Sequence, residues 1–281
     1  MKIFLTGGTG FIGSHFINAA HAAGHHVIAL RRNASSAVIA LDREPDWFTG
    51  ELGDDLSQCM SDSDALVHLA SSGVSPKPAD WESCIQFNVL SSTLLIERAI
   101  SAGINNFVVA GSFAEYGNAG LRYDYIPADS PLEPIGPYAS SKAAASVAIS
   151  GLCRQAGVKL SYLRIFSAFG EGQYCENLWP SLRRAALSGE DFSMTPGEQI
   201  RDFIPVENVA DEIVAAIDDN QIRDESILFR NVGSGEAKSI LAFSSHYWKE
   251  WGAKGELKVG ALPYRDNEVM RFVPDVSAKL G

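Results

Sequence analysis

The chain has 281 residues and 46% of them are hydrophobic, an ordinary share for a globular protein that buries a large core. Its formal net charge is -11 at pH 7, and the sequence has no basic stripe that could bind phosphates. We therefore expect no nucleic-acid partner. No apolar run could cross a bilayer, no signal peptide is recognisable and the four cysteines form no C-x-x-C pair, so we expect a cytoplasmic protein with no membrane partner and no metal site.

Strand-like and helix-like segments alternate along the first part of the chain, which is the pattern of a parallel α/β sheet. The predicted elements are, in chain order, a strand at 2–6, a helix at 11–23, strands at 26–30 and 65–70, a helix at 82–103, a strand at 106–112, a helix from about 137 to 155 and a strand at 159–166.

The regular alternation of strands and helices then gives way to loops and shorter elements. Helices are predicted at 180–188 and 206–219, and a strand is predicted after the second helix. We expect an α/β fold with a doubly wound parallel sheet (Rossmann type) and a smaller C-terminal substrate-binding lobe. The expected division is 1–166 with 206–232 for the dinucleotide-binding domain, and 167–205 with 233–281 for the lobe. In such folds ligands bind beyond the carboxyl ends of the strands.

The segment TGGTGFIG follows the first strand directly and opens the first helix. Its three glycines are spaced three apart: the first permits a tight turn, the second lets backbone N–H groups approach a pyrophosphate, and the third lets helix and strand pack closely. The helix N-terminus favours anionic phosphates. We therefore expect a dinucleotide to bind at Gly7, Gly10, Phe11, Ile12 and Gly13.

The end of the second strand bears on which dinucleotide binds. An acidic residue there usually holds the ribose 2′-hydroxyl of NAD, whereas arginine accommodates the 2′-phosphate of NADP. Here Leu30 is followed by Arg31 and Arg32, and the next acid is Asp42. Because arginine pairs with phosphate in a bidentate way, the sequence predicts NADP, with NAD as the alternative.

A tyrosine and a lysine lie four residues apart in the helical segment GPYASSKAAA, which places Tyr138 and Lys142 on one helix face. Ser112 ends an earlier strand, at the edge where ligands bind. A nearby ammonium favours the phenolate and lowers a tyrosine pKa. We expect Ser112 to orient a substrate oxygen and Tyr138 to exchange a proton with it, while hydride moves to or from a nicotinamide.

The chain resembles the extended short-chain dehydrogenase/reductases, in the NAD-dependent epimerase/dehydratase group that acts on nucleotide sugars. The resemblance covers nearly the whole chain and rests on TGGTGFIG, ALVHLAS, GSFAEYG, PYASSK, LRIFSAFGEGQ and GEQIRDFIPVENVA, in that order. It implies that Ser112, Tyr138 and Lys142 are the family's catalytic triad, and that the last two also contact the cofactor.

The resemblance also implies further site residues. Glu51, which stands where the family usually has Asp, and Leu52 match positions near the adenine, and Leu69 and Ala70 match a strand end along the cofactor. Asn88 matches an asparagine that helps to order the cofactor site. The implied substrate-binding residues are Ser112, Ser167 and two phosphate-binding arginines, Arg201 and Arg265.

Departures from the family pattern narrow the predicted reaction. Sugar 4,6-dehydratases have an Asp-Glu pair directly after the Ser or Thr, where this chain has Phe113 and Ala114, which cannot move protons. Many 4-epimerases have asparagine where this chain has Ser167. The predicted function is NADPH-dependent reduction of the 4-keto group of a nucleotide-linked 4-keto-6-deoxyhexose. The alternatives are a nucleotide-sugar 4-epimerase with tightly bound NAD and a non-catalytic dinucleotide-sensing protein of the same fold.

Family members commonly form homodimers through two helices, which match residues 82–102 and 138–155 here. We therefore expect a homodimer, with an apolar face on each helix beyond what its own sheet covers. The candidate residues for these faces are Val89, Leu90, Leu94 and Ile100 on the first helix and Ala145, Val147 and Ile149 on the second.

Overall fold

The computed structural model describes residues 1–33, 35–74, 79–218, 227–266 and 268–277. Within these residues the main sheet has seven parallel strands in the order β11-β6-β5-β4-β1-β2-β3. These strands are β1 (Lys2–Thr6), β2 (His26–Arg31), β3 (Asp46–Thr49), β4 (Ala65–His68), β5 (Asn106–Ser112), β6 (Lys159–Ile165) and β11 (Ile227–Val232). The strand order reverses between β1 and β4, as it does in a doubly wound fold.

Helices cover both faces of this sheet, and successive residues of β1 show why. Ile3 and Leu5 belong to one apolar core, and Phe4 belongs to the other, because side chains alternate between the faces of a strand. The helices are α1 (Phe11–Ala22), α2 (Ser57–Met60), α3 (Trp81–Cys84), α4 (Ser92–Ser101), α5 (Gly136–Ala156), α6 (Leu178–Ser188), α7 (Val206–Asp218) and α8 (Ile240–Glu250). Helices α1 and α7 pack on the Ile3 face, and α4 and α5 on the Phe4 face.

Small sheets of two or three short strands follow the main one. Their strands are β7 (Ser167–Phe169), β8 (Phe192–Met194), β9 (Ile200–Arg201), β10 (Phe203–Pro205), β12 (Lys238–Ser239), β13 (Leu257–Val259) and β14 (Arg271–Phe272). β10 pairs with β7, β9 lies between β12 and β14, and β13 pairs with β8. Two 3-10 helices, Phe113–Tyr116 and Asn118–Arg122, follow β5.

The predicted helix at 82–103 is continuous but changes its winding, because a π-helix (Ile85–Ser91) connects α3 to α4. Ser91 Oγ donates to Gln86 O and Ser92 Oγ donates to Phe87 O, each at 3.0 Å. In these wider turns, two backbone carbonyls thus accept a hydrogen bond from the serine hydroxyl five residues further along the chain. π-Helical turns are frequent at functional sites, and this one contains Asn88.

The helix faces predicted for a dimer are only partly free. Leu90, Leu94 and Val147 are exposed, by 48%, 37% and 67%. The prediction is wrong for Ala145 and Ile149, which are 2% and 0% exposed because they pack in the core beneath α5. None of the helices that the structure describes is both long and apolar enough to span a membrane.

Two glycines allow the first loop and α1 to lie against the strands. Gly7 has a positive φ of 81°, and a Cβ on it would lie 2.6 Å from Ala70 N. A Cβ on Gly13 would lie 2.1 Å from Gly7 O, closer than any real contact. Both positions therefore require glycine for the chain to fold in this way.

We expect Gly13→Ala to lower the free energy of unfolding by about 1–3 kcal/mol, because helix α1 must move away from Gly7 to admit the methyl group. Gly151→Ala is the matched control, since Gly151 lies inside α5 and an added Cβ meets nothing within 4 Å. That change should stabilise the protein by about 0.5–1 kcal/mol through helix propensity. Urea denaturation measures both, and equal stabilities of Gly13→Ala and wild type would contradict the packing described here.

Candidate active site

A cleft of about 930 Å³ lies at the carboxyl edge of the main sheet. Its wall is formed where β1, β2, β4, β5 and β6 end, together with α5 and the segments after β6. It is lined by these predicted site residues: Gly7, Gly10, Phe11, Ile12, Gly13, Arg31, Arg32, Glu51, Leu52, Leu69, Ala70, Ser112, Tyr138, Lys142, Ser167 and Arg201.

The glycine loop forms one wall of the cleft. Gly10 N donates to Gly7 O at 2.9 Å, which closes the turn, and α1 begins at the next residue. Gly10 brings no side chain to the start of this helix, so its first backbone N–H groups border the cleft. The geometry fits the pyrophosphate of a dinucleotide, which needs donors and a helix N-terminus rather than acidic side chains.

Arg31 and Arg32 also line the cleft, where β2 ends. The Arg31 guanidinium lies 5.1 Å from the ring centroid of Trp47 on β3, a cation–π contact. Its Nε is buried and has no hydrogen-bond partner among the described residues. Arg32 is exposed. Two cations thus stand where an NAD site usually has an acid, and one carries an unpaired donor.

Ser112, Tyr138 and Lys142 all line the cleft. The phenol of Tyr138 is hydrogen-bonded to the hydroxyls of Ser112 and Ser71. Lys142 is 5% exposed, and its Nζ donates to Ala110 O at 2.5 Å. The structure therefore brings the three predicted catalytic residues together.

The ionisation of Tyr138 differs from the sequence-based expectation. Burial raises the pKa of Tyr138 to about 12, the hydrogen bond from Ser112 opposes this rise, and the charge of Glu115 adds to it. Lys142 is not among the largest causes; burial lowers the pKa of Lys142 itself. The expected lowering of the Tyr138 pKa by Lys142 is thus not what the structure shows, because burial outweighs it.

Two predicted site residues do not line the cleft. Asn88 is 2% exposed, and its Nδ2 donates to Ser72 O at 3.0 Å and to Ser141 Oγ at 2.9 Å. Its Oδ1 accepts from Ser72 N at 2.8 Å, so Asn88 ties the loop after β4 to α5. Arg265 is exposed, and the described lining of the cleft does not include it. Its phosphate-binding role stays a prediction.

Arg201 lies at the far end of the cleft, where its Nη2 donates to Val269 O at 2.6 Å and to Glu268 Oε1 at 3.2 Å. Burial lowers the pKa of Arg201, and the Glu268 carboxylate opposes this shift. Sequence reasoning missed the aromatic residues of this end, which come from separate short elements with no common period. They are Phe166, Phe169, Trp179, Phe203 and Phe243.

The rings of Phe203 and Phe243 stack with their centroids 3.9 Å apart, which gives this end of the cleft a flat apolar wall. Within the described residues, no group of three or more His, Cys, Asp and Glu could hold a metal ion.

Because burial holds the pKa of Tyr138 at about 12, its phenol stays protonated through neutral and mildly alkaline pH. We expect wild type and Tyr138→Phe, without added nucleotide, to give equal phenolate absorbance at about pH 10, where an ordinary tyrosine is half ionised. The difference of one phenolate should appear only as the pH approaches about 12, with circular dichroism confirming the fold at each step. A one-tyrosine difference centred at or below about pH 10 would show that Tyr138 is not buried as described.

The comparisons with known proteins agree with this geometry. The model of the NAD dependent epimerase/dehydratase family matches residues 3–228. A UDP-glucose 4-epimerase of Azospirillum brasilense is 30% identical over 270 residues, covering 85% of this chain and 74% of the relative. A UDP-glucose 4-epimerase of Neisseria meningitidis serogroup B is 28% identical over 272 residues, covering 85% of this chain and 79% of the relative.

Solved structures show the same fold around nucleotide-sugar sites. MoeE5 in complex with UDP-glucose and NAD has a TM-score of 0.83 and 27% identity, covering 99% of this chain and 90% of that chain. TunA, an NAD-dependent NDP-hexosamine 5,6-dehydratase, has a TM-score of 0.82 and 27% identity, with the same coverage. The family model, the relatives and the seven-stranded parallel sheet lead to one conclusion. The chain belongs to the NAD-dependent epimerase/dehydratase family, an enzyme family of nucleotide-sugar chemistry with a Rossmann-type fold.

Proposed function

We propose that the protein is a nucleotide-sugar 4-epimerase that oxidises C4 of a bound hexose and reduces it again from the other face. The observation that carries this proposal is that Ser112, Tyr138 and Lys142 line one cleft together with the glycine loop and Arg201. The relatives named UDP-glucose 4-epimerases support this reaction over net 4-ketoreduction. We further propose NAD(P) as cofactor and the lobe formed by 167–205 and 233–281 as the site of the nucleotide sugar.

The three central residues divide the work at C4. Ser112 donates a hydrogen bond to the C4 oxygen, and Tyr138 takes the hydroxyl proton during oxidation and returns it during reduction. An oxidised NAD(P) held at Gly7, Gly10 and Gly13 would supply a hydride acceptor for C4 and a positive charge that would favour the phenolate. Lys142, which donates to Ala110 O, holds a positive charge beside the same helix turn. We assign Arg201, which lines the same cleft, to the diphosphate of the nucleotide sugar, because a guanidinium pairs well with phosphate.

This chain has no acid–base pair at the two positions where 4,6-dehydratases carry the pair that eliminates water. Phe113 and Ala114 follow Ser112 and line the cleft with apolar groups. The nearest carboxylate, Glu115, is fully buried and pairs with Arg164 at 2.8 Å. This arrangement supports oxidation and reduction at C4 over dehydration.

A second candidate is NADPH-dependent reduction of a nucleotide-linked 4-keto-6-deoxyhexose, and one observation favours it. Arg31 and Arg32 line the cleft where a 2′-phosphate would lie, and Arg31 has a buried Nε without a partner among the described residues. A reductase uses free NADPH stoichiometrically, whereas an epimerase returns its cofactor to the starting state in every cycle. The two candidates therefore differ in cofactor turnover.

A panel of UDP-hexoses, and of nucleotide 4-keto-6-deoxyhexoses with NADPH, distinguishes the candidates. We expect epimer formation from a UDP-hexose with no net change in nicotinamide absorbance. Tyr138→Phe keeps the ring and removes the transferable proton, so kcat should fall by roughly two to four decades while cofactor binding persists. Stoichiometric NADPH oxidation on a 4-keto sugar would replace the epimerase with the reductase. Near wild-type turnover by Tyr138→Phe would remove Tyr138 from the proposed mechanism.

The arginines after β2 make a prediction about cofactor choice. Arg31→Ala should weaken NADPH binding about ten- to a hundredfold more than NADH binding, because a charge-assisted contact to the 2′-phosphate contributes roughly 1.5–3 kcal/mol. Arg43→Ala is the matched control, since Arg43 is an exposed arginine outside the described cleft lining. Fluorescence titration with both nucleotides measures the difference. Equal losses for NADPH and NADH would assign the site to NAD.

The exposed apolar residues on neighbouring helices support a homodimer, which we propose with an isologous interface. Leu90 in the π-helix, Leu94 on α4 and Val147 on α5 are exposed at positions where an isolated chain gains nothing from them. Light scattering should give twice the mass of one chain, and the interface should bury more than about 1,000 Å². Leu94→Glu should shift the protein to monomer, and Leu187→Glu, at an exposed leucine on α6, should not. A wild-type monomer at all concentrations would contradict the dimer.

A further inference from the structure

A buried carboxylate lies directly behind the central serine of the cleft. Glu115 is 0% exposed and belongs to the 3-10 helix that follows β5. Its Oε1 accepts a hydrogen bond from Ser112 N at 2.8 Å, and Ser112 Oγ accepts one from Ala114 N at 3.2 Å. This reciprocal pair fixes both the backbone and the hydroxyl of Ser112.

The same carboxylate connects Ser112 to the helix that carries Tyr138 and Lys142. The hydroxyl of Tyr162 on β6 lies 3.2 Å from Glu115 Oε1 and 3.1 Å from Lys142 O. A displacement of Glu115 would therefore change the positions of both the end of β5 and the middle of α5. These are the two elements whose side chains meet in the cleft.

Arg164 holds the other carboxylate oxygen. Its Nε donates to Glu115 Oε2 at 2.8 Å, and its Nη1 donates to Ala128 O at 2.7 Å and to Tyr116 Oη at 3.3 Å. The guanidinium also lies 4.9 Å from the ring centroid of Tyr116 and 5.0 Å from that of Phe229. These contacts fix the position of the Arg164 guanidinium, and the guanidinium in turn fixes the position of the Glu115 carboxylate.

Stability alone does not explain this pair. A buried ion pair is often no more stabilising than two apolar side chains of similar volume, because both charges lose their hydration. Here the negative charge of Glu115 also raises the pKa of Tyr138, which opposes formation of the phenolate. What apolar residues could not supply is the acceptor for Ser112 N.

We propose that Glu115, held by Arg164, is a positioning residue that aims the Ser112 hydroxyl at the substrate oxygen and sets it against Tyr138. The inference rests on the proposed role of Ser112 in oxidation and reduction at C4. It assigns a function to a residue pair that touches neither cofactor nor substrate. The essential feature is the acceptor oxygen of residue 115, and the ion pair is the means of fixing it.

Two double variants separate the acceptor from the charge. E115L/R164M replaces the pair with apolar side chains and removes the acceptor. E115Q/R164Q keeps an acceptor oxygen for Ser112 N, and its second amide group lies where the Arg164 Nε lies now, so the two amides can pair without charge. Tyr116→Phe is the control, because it removes the hydroxyl that contacts Arg164 and Asn231 and leaves the contact of Glu115 with Ser112 in place.

We expect E115L/R164M to bind cofactor like wild type and to lose at least about tenfold in kcat, with KM changed by less than about threefold. E115Q/R164Q should regain most of that kcat, which a purely structural role would not predict. Tyr116→Phe should melt at a lower temperature with kcat unchanged. Wild-type kcat in folded E115L/R164M, or equal losses in both double variants, would overturn the proposal.

The pH profile gives a second readout. The charged and titratable groups around the Tyr138 phenol are Glu115 on the 3-10 helix, Cys84 on α3, Tyr162 on β6 and Lys142 on α5 itself. E115Q/R164Q removes the charges of Glu115 and Arg164, and of these two it is the Glu115 charge that raises the Tyr138 pKa. The acid limb of oxidation should therefore move to lower pH, since a negative charge that raised the Tyr138 pKa is gone. An unmoved limb would contradict the placement of Glu115.

Crystal structures of the two double variants keep the test independent of the proposed reaction. If wild type turns over no nucleotide sugar, the proposed function fails, and the positioning claim is decided by the Ser112–Tyr138 hydrogen bond. It should be lost in E115L/R164M and kept in E115Q/R164Q. Its presence in both would overturn the claim. If E115L/R164M does not fold, Glu115→Asp replaces it, because its carboxylate is one methylene short of Ser112 N and should give the same loss of kcat.

Discussion

The main sheet is parallel, and this single constraint places most groups of the candidate site on one edge. Because β1, β2, β4, β5 and β6 run in the same direction, their carboxyl ends lie on one edge. The glycine loop, the arginines, the strand end at Leu69 and the central serine therefore come from distant parts of the sequence to one cleft. The chain then needs only one helix, α5, to bring Tyr138 and Lys142 to the same edge.

Packing behind the cleft then decides what these groups can do. Because Gly7 and Gly13 have no Cβ, Gly13 packs directly against Gly7 and Gly7 packs directly against Ala70. This close packing leaves the first N–H groups of α1 beside the cleft. On the other side, burial raises the pKa of Tyr138, so in the proposed reaction its proton chemistry depends on the charge of a bound cofactor and on the groups around the phenol. The buried pair of Glu115 and Arg164 belongs to this supporting layer.

The parts that sequence reasoning predicted are those with a strong local signal. Glycine spacing after a strand, alternating strand and helix periods and a Tyr-x-x-x-Lys pair each reflect local geometry, and the structure brings Ser112, Tyr138 and Lys142 together accordingly. Strand β3 was missed because four half-exposed residues between polar loops carry no clear period, and the two- and three-residue strands after β6 carry even less. The π-helical conformation of residues 85–91 was also not predicted, since the spacing of their apolar residues resembles that of an α-helix.

Other features depend on contacts that no local pattern encodes. Ala145 and Ile149 have the apolar character of an interface residue, and only the position of α5 on the sheet shows that they are core. The partner of Glu115 lies on β6, so its role could not be inferred from GSFAEYG alone. Arg31 shows the reverse case: this chain has an arginine where NAD sites usually have an acid, whereas the solved complex of MoeE5 contains NAD. The contact with Trp47 shows how this chain holds that arginine.

The fate of the hydrogen at C4 shows whether the protein oxidises and reduces this carbon. UDP-glucose deuterated at C4 would be incubated with the protein, and the product followed by nuclear magnetic resonance and mass spectrometry. Because Tyr138 moves only the hydroxyl proton, the account predicts a C4 epimer that retains its deuterium, with the nicotinamide back in its starting state. An epimer that has exchanged its C4 deuterium for solvent hydrogen, or a product that has lost water, would contradict oxidation and reduction at C4.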